Sequence, residues 1–353
     1  MSAKISVIMP SLNVGRYIKQ CLDSVTGQSL KELEILCVDA GSDDGTLEIL
    51  EEAARKDERI RIIHSDIRSY GYQMNLGLSC ATGEYIGIIE TDDWTEPDMF
   101  LTLYRLAKEE DLDVVKSSFW FFYSIPKEKN ISFHLPARFV RMSAFNPTED
   151  LKEPLDMVDF FNIKPSIWSA IYRRAFLEEN NIRFNETPGA SYQDAGFNFK
   201  IWVCAERVKV IPEAFLHYRQ DNEQSSVNSP SKVMCVCDEY QEIRRFIEEK
   251  YSGEKKELLL ALMERLKLDS YAWNYERLAV PLNKDFARAA SEELKADMKN
   301  GFVRKEFFSA FKWENYNLWI NDAEAFAREM DRTKNLSLAG KAVGKLKRML
   351  KRG

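Results

Sequence analysis

Four short apolar runs, each closed by a polar turn and separated by helical patterns, set the tightest limit on how this chain folds. Ile5-Ser6-Val7-Ile8-Met9 stops at Pro10. Glu34-Ile35-Leu36-Cys37-Val38 runs into Asp39-Ala40-Gly41-Ser42-Asp43-Asp44-Gly45-Thr46. Arg61 to His64 is a third run, and Glu84 to Ile89 leads into Glu90-Thr91-Asp92-Asp93-Trp94. Helical spacing covers Val14 to Thr26, Leu47 to Arg55 and Asn75 to Cys80. Strands alternating with helices of this length predict an α/β fold, Rossmann-like, with a mostly parallel sheet covered by helices on both faces. Ligands of such sheets sit beyond the carboxyl ends of the strands, so the residues just after each run are the first candidates for a site.

The stretch from Val114 to about Val210 is less regular, with an aromatic-rich strand candidate at Phe119 to Tyr123. Beyond Lys232 amphipathic helical patterns take over, at Tyr240 to Tyr251, Leu258 to Tyr275 and Lys284 to Met298. The expected organisation is an α/β domain at residues 1–230, a helical C-terminal domain at 231–333 and a basic amphipathic tail at 334–353. A chain of 353 residues has room for one large domain and an appendage. A net charge of −6 makes no case for nucleic acid. No apolar run approaches the roughly 20 residues that span a bilayer. Met1 leads straight into the first strand without a leader-like segment. The six cysteines are scattered, and Cys235 and Cys237, one residue apart, fit no zinc or thioredoxin spacing. Reduced thiols and a cytoplasmic location follow. The tail carries Lys334, Lys341, Lys345, Lys347, Arg348, Lys351 and Arg352 with no acid, interleaved with leucines. It fits either a helix lying on the anionic inner face of the cell membrane or a solvated terminus.

Four clusters carry the candidate chemistry. Asp92 and Asp93 are adjacent carboxylates at a strand end. A hard divalent cation would offset their repulsion and bind a diphosphate, neutralising charge on a leaving nucleotide. A turn whose Asp caps the next helix accounts for the same residues. Asp39 to Thr46 combines acids with glycines that permit a tight turn; its carboxylates could hold a nucleoside, or simply cap the helix at Leu47. Asp194, in Tyr192-Gln193-Asp194-Ala195-Gly196-Phe197, could take a proton from an acceptor hydroxyl, or cap a helix. His217 and Arg219, in His217-Tyr218-Arg219, could meet a metal and a phosphate, or be structural.

In their order along the chain these clusters resemble the family-2 glycosyltransferases of the GT-A fold, of the kind that build bacterial surface polysaccharides. Val7 to Asn13 looks like the family's opening strand and nucleotide loop, and Val38 to Thr46 like its second strand and acidic turn. Asn75-Leu76-Gly77-Leu78 and Ala81 to Ile86 approach Thr91-Asp92-Asp93 as in the family's metal-binding motif. Trp168 to Arg174 resembles the acceptor-side segment, and Gln193-Asp194 with Phe197 resembles the pair that supplies the general base. The likeness covers residues 4–226. It implies a nucleotide-sugar-binding catalytic domain that moves a sugar, with inversion, from a nucleotide donor to a glycan or lipid-linked glycan. Pro10, Ser11 and Asn13 would border the nucleotide, and Asp39 would approach its base or ribose. Asp92 would touch ribose or metal, and Asp93 would ligate Mn²⁺ or Mg²⁺. Trp168 would line the acceptor side and Asp194 would be the base. His217 would complete the metal shell, and Arg219 would pair with phosphate.

Four positions depart from the family pattern. Ala40 stands where a second acid often reads uracil, so UDP is the expected but not the only nucleotide. Glu90 replaces the first Asp of the metal motif, Gln193 the Glu before the base, and Met74 an Arg. Two other readings compete: a nucleotidyltransferase on a related sheet, and a non-catalytic nucleotide-sugar-binding module. Pro10-Ser11-Leu12-Asn13, in place of a Gly-rich basic loop, argues against the first; intact Asp92, Asp93 and Asp194 argue against the second.

Overall fold

The computed structural model describes residues 3–222 and 232–334. The basic tail beyond Lys334 lies outside the described residues. The strands are β1 (Ile5–Ser11), β2 (Leu33–Asp39), β3 (Ile60–His64), β4 (Tyr85–Ile88), β5 (Trp94–Thr95), β6 (Val114–Tyr123), β7 (Lys129–Phe133), β8 (Ala170–Arg173) and β9 (Val208–Arg219). The helices are α1 (Ile18–Thr26), α2 (Thr46–Lys56), α3 (Tyr70–Cys80), α4 (Met99–Glu109), α5 (Ala137–Val140), α6 (Pro154–Phe161), α7 (Arg174–Glu179), α8 (Gln193–Cys204), α9 (Cys235–Lys250), α10 (Gly253–Arg277), α11 (Leu282–Lys299), α12 (Ala310–Asn321) and α13 (Ala323–Lys334).

The chain divides into two compact units. The first comprises Met1–Asp150 and Ile163–Gln224, and the second Leu151–Asn162 and Ser225–Gly353. Among the described residues the nine strands form one sheet in the first unit, in the order β3-β2-β1-β4-β8-β6-β9-β5, with β7 added on β6. The parallel character expected from the sequence holds for β3, β2, β1 and β4. Beyond them the sheet is mixed: β8 runs antiparallel to β4 and β6, β9 is parallel to β6, and β5 is antiparallel to β9. The apolar runs of β1 and β2 are buried almost throughout, as strands covered on both faces must be.

Glycine is required where α3 meets the chain leading to α8. A Cβ on Gly71 would lie 1.9 Å from Asn185 O. Three further ties bind these segments. Asn75 Nδ2 donates to Phe184 O at 2.9 Å, Phe184 N returns a bond to Asn75 Oδ1 at 2.9 Å, and Ser69 Oγ donates to Thr187 O at 2.7 Å. The Phe184 and Phe197 rings then stack at 4.0 Å. The position of α8, and of Asp194 in its first turn, therefore follows from α3.

The second unit is helical, made of α6 and α9 to α13. It takes up Leu151–Asn162 from the middle of the sequence; α6 packs on α10. Its core includes Leu259, Leu262, Met263, Leu294 and Trp319, the last stacked on Phe326 at 3.8 Å. Among the described residues no helix is long and apolar enough to cross a membrane.

Candidate active site

Strand register brings the polar turns of the sequence to one rim. Ser11 stands opposite Asp39, and Asp39 opposite His64. The acidic turn after β4 is tied to the end of β1, because Thr91 Oγ1 donates to Pro10 O at 2.8 Å and Ile89 N to Ile8 O at 3.0 Å. On its far side the turn is held by the end of β9. Arg219 N donates to Asp93 Oδ1 at 2.8 Å, and Arg219 Nε to Asp92 O at 2.9 Å. The turn Glu90–Asp93 thus bridges strands that are far apart in sequence.

Pro10, Ser11, Asn13 and Asp39 stand together, but Asp39 is occupied by its own loop. Its Oδ1 accepts from Gly41 N at 3.0 Å and Ser42 N at 2.9 Å; its Oδ2 accepts from Ser42 Oγ at 2.5 Å and Ser11 Oγ at 3.2 Å. Asn13, at a φ of 55°, accepts from Asp43 N at 2.9 Å through its amide oxygen and donates its N–H to Ser42 Oγ at 3.0 Å. Short polar side chains tolerate this left-handed backbone best. Asp39 therefore shapes the loop that the sequence marks as a candidate for holding a nucleoside.

Asp194 enters from the first turn of α8, after Tyr192 at a φ of 63°. Gln193 is fixed by donating to Thr187 Oγ1 at 2.9 Å and Gly189 O at 3.2 Å. Gln193 is thus a brace for the loop before the candidate base. Asp194 Oδ1 accepts from Ala195 N at 2.9 Å.

The acids from these separate loops act on the same neighbours. The Tyr218 phenol is pushed up by burial and then by Asp93, Asp194, Asp92 and Glu90. Lys164 lies 5.1 Å from the Tyr218 ring centre. Burial lowers its pKa, while Asp194 and Asp93 pull the other way. Asp194 is raised by burial, with Lys164 opposing. Asp93 is raised well above the carboxylate range by burial and by Asp92, against the Arg219 N–H. Glu90 is raised to about 8 by burial, with Asp92 and Asp194 adding to it. Tyr70 OH donates to Glu90 Oε1 at 2.6 Å, so Glu90 points toward α3. Asp92 accepts from Asn222 Nδ2 at 2.7 Å. Asp93 Oδ2 is buried and, among the described residues, has no hydrogen-bond partner. A buried oxygen left so would cost about 1–3 kcal/mol, so a site for a cation fits it.

One expected site residue, His217, is engaged elsewhere, and another, Arg219, has a structural role at the acidic turn itself. His217 has both ring nitrogens engaged, Nδ1 with Asn130 Oδ1 at 2.8 Å and Nε2 with Glu96 Oε1 at 2.9 Å. Its ring stacks on Trp94 at 3.5 Å. His217 is therefore not brought to the carboxylates, and among the described residues no group of three His, Cys, Asp or Glu side chains is placed to hold a metal. Arg219 is a brace: beyond its bonds to the acidic turn it donates to Gln20 Oε1 at 2.8 Å, and it lies over the Tyr17 and Phe122 rings. Trp168 is buried, 4.7 Å from Phe119 and 4.9 Å from Tyr218 between ring centres. Sequence reasoning had missed Lys164, Tyr70, Tyr218 and Asn222. The one hint was a lysine in the apolar run Phe160-Phe161-Asn162-Ile163-Lys164 just before the Trp168 segment.

Comparison with known proteins adds four findings. The family described as "Glycosyl transferase family 2" matches residues 6–201. Glycosyltransferase EpsJ of Bacillus subtilis is 32% identical over 228 residues, covering 65% of this chain and 64% of that protein. The poly(ribitol-phosphate) β-N-acetylglucosaminyltransferase TarS of Staphylococcus aureus is 26% identical over 90% of this chain and 48% of its own length. The chain thus spans less than two thirds of either relative. In three dimensions, S. aureus TarS 1–349 in complex with UDP-GlcNAc superposes with a TM-score of 0.67 at 19% identity, covering 94% of this chain and 90% of that one. The shared architecture is the GT-A fold.

Proposed function

The chain belongs to glycosyl transferase family 2, and from that premise we propose that it moves a sugar from a UDP-sugar to a hydroxyl of a glycan or lipid-linked glycan, with inversion, in surface-polysaccharide synthesis. The observation that carries this reading is the convergence of Asp92, Asp93 and Asp194, from separate loops, on Tyr218, with Asp93 and Asp194 also acting on Lys164, which lies over the Tyr218 ring. That is the charge arrangement a metal-assisted transfer needs: acids for a cation at the donor end, and one further acid for the acceptor. The rival readings have no observation in their favour.

Asp194 takes the acceptor hydroxyl's proton as that oxygen forms its bond to the anomeric carbon. The carbon–oxygen bond to the diphosphate breaks, and its electron pair leaves on the diphosphate. Burial gives Asp194 the higher proton affinity a base needs, while the start of α8 still favours the anion. Asp93, with Asp92, would hold Mn²⁺ or Mg²⁺, which when bound neutralises charge on the diphosphate. Asp39, Ser11 and Asn13 shape the nucleotide loop, and Trp168 belongs to the acceptor side. Support for a uridine donor comes from TarS, solved with UDP-GlcNAc. Support for a surface-polymer acceptor comes from relatives named for poly(ribitol-phosphate). The basic segment 334–353 would hold the enzyme on the inner membrane surface.

Asp194→Asn separates the roles. Transfer, followed by release of UDP in the presence of acceptor, is expected to be abolished, while calorimetric donor affinity stays within about twofold of wild type because the base does not bind donor. Equal loss of affinity and transfer would refute the assignment.

A further inference from the structure

Of the seven tryptophans of the chain, all among the described residues, Trp273 alone is exposed, at 43%. It stands near the end of α10 in the helical unit, and its surroundings are open as well. Met234, just before α9, is 43% exposed, and Val280, just after α10, is 69% exposed. Arg277, one turn beyond Trp273, sets its guanidinium over the indole, 5.8 Å from the ring centre, and donates from Nη2 to Lys232 O at 2.7 Å. Asn274 Nδ2 donates to Val233 O at 2.9 Å, so the segment bearing Lys232 and Met234 is tied to the turn of α10 that bears Trp273. The last described residue, Lys334, reaches the same turn: its Nζ donates to Glu276 O at 2.7 Å. The basic segment therefore leaves the helical unit beside this patch.

We propose that the patch lies against an anionic lipid surface, with Trp273, Met234 and Val280 at the headgroup level and the neighbouring bases toward lipid phosphate. The proposal deepens the membrane reading of segment 334–353 and takes most of its charge from it. An indole flanked by a guanidinium suits a boundary that is apolar on one side and charged on the other. The exposed acids of the same stretch, Asp238 and Glu276, offset two of the three bases Lys232, Arg277 and Lys334. The decisive charge lies beyond Lys334, where six further bases stand with no acid. That charge selects the occupant. A second copy of the chain would bring a second segment of the same sign to the contact, and the segment folded back over the patch would set its bases beside Arg277 and Lys232. An anionic bilayer attracts all of them and also takes up the apolar side chains.

The test is co-sedimentation of the full chain with vesicles of equal parts phosphatidylglycerol and phosphatidylcholine, and of phosphatidylcholine alone, with tryptophan emission quenched by brominated phosphatidylglycerol. Binding is expected to the anionic vesicles only, with quenching that Trp273→Phe largely removes. Trp273→Ser should weaken binding about tenfold, and Val280→Ser gives the second reading if the first variant loses thermal stability. Changing the six bases beyond Lys334 to Gln should weaken binding at least about a hundredfold, yet leave Trp273 quenched once enough vesicle is added to bind the chain. Quenching untouched by Trp273→Phe, or affinity untouched by both Ser variants, overturns this inference and leaves the reading of segment 334–353 standing. If the six-Gln chain binds like wild type, that reading falls, while weaker binding by Trp273→Ser still upholds the patch. No binding to anionic vesicles overturns both. A lipid-free dimer that Trp273→Ser dissociates, or a lipid-free change in Trp273 emission on the six-Gln change, also overturns the inference and assigns the patch to a second copy or to the segment itself.

Discussion

Replacing Lys267 by Met should unfold the helical unit far more readily than replacing Glu264 by Gln, although both side chains are buried in one ionic cluster. Lys267 Nζ stands 2.5 Å from Glu293 Oε1, 2.6 Å from Asp297 Oδ2 and 3.7 Å from Glu264 Oε1. Arg244 adds a second cation, 2.6 Å from Asp297 Oδ1 and 3.0 Å from Glu264 Oε1. Two cations face three carboxylates, so the most deeply buried carboxyl is the one driven toward its neutral form. Glu264 is the one, raised to about 8 by burial with Asp297 adding to it and Lys267 and Arg244 opposing. Glu264→Gln therefore replaces a neutral acid by a neutral amide and should cost under about 1 kcal/mol at neutral pH. Lys267→Met strips the cation from Glu293 and Asp297 and should cost about 3–5 kcal/mol, the range for breaking a buried pair from one side. Hydrogen exchange of α10 and α11 amides, followed through a urea series, reads the cost in this unit alone. The sign with pH follows as well. A folded pKa of about 8, above the unfolded value, means that the contribution of Glu264 is full below about 4.5 and is lost as pH rises through 8. Glu264→Gln should flatten that decline. Comparable losses from the two variants at neutral pH, or a cost under about 1 kcal/mol for Lys267→Met, would refute the charge count.

Two further outcomes are expected. Gly71→Ala puts a methyl group 1.9 Å from Asn185 O and forces the backbone before α8 to move; it should destabilise by about 1–3 kcal/mol and lower kcat more than donor affinity, in thermal unfolding and steady-state assays. Deleting residues 334–353 should move the protein from membrane to soluble fractions on cell lysis, since each basic residue near an anionic surface contributes about 1 kcal/mol; an unchanged distribution would remove the membrane assignment.

The strands of the parallel half were legible because each is a buried apolar run with its own turn. β8 and β5, with four and two residues, were not. Nothing local distinguishes Ala170–Arg173 or Trp94–Thr95; they are strands because β4, β6 and β9 offer them edges. The same limit applies at the site. Asp92, Asp93 and Asp194 could be picked out by residue type and order. The partner of Glu90 is Tyr70, 20 positions away, and Lys164 meets Tyr218 only through the packing of β9. His217 has the right chemistry for a metal ligand, and only the positions of Glu96, Asn130 and Trp94 show that its nitrogens are taken. That Asp39 also accepts four hydrogen bonds, three from its own loop and one from Ser11, is visible only in the fold.

The central claim is that one rim of the sheet gathers carboxylates around a divalent ion and a departing nucleotide. It is tested most directly by the anomalous signal of manganese in crystals grown with UDP and Mn²⁺. The account predicts a peak within coordinating distance of Asp93 Oδ2, with Asp194 across the donor site from it. A peak away from Asp92 and Asp93, or bound UDP with no ion beside it, would contradict the account.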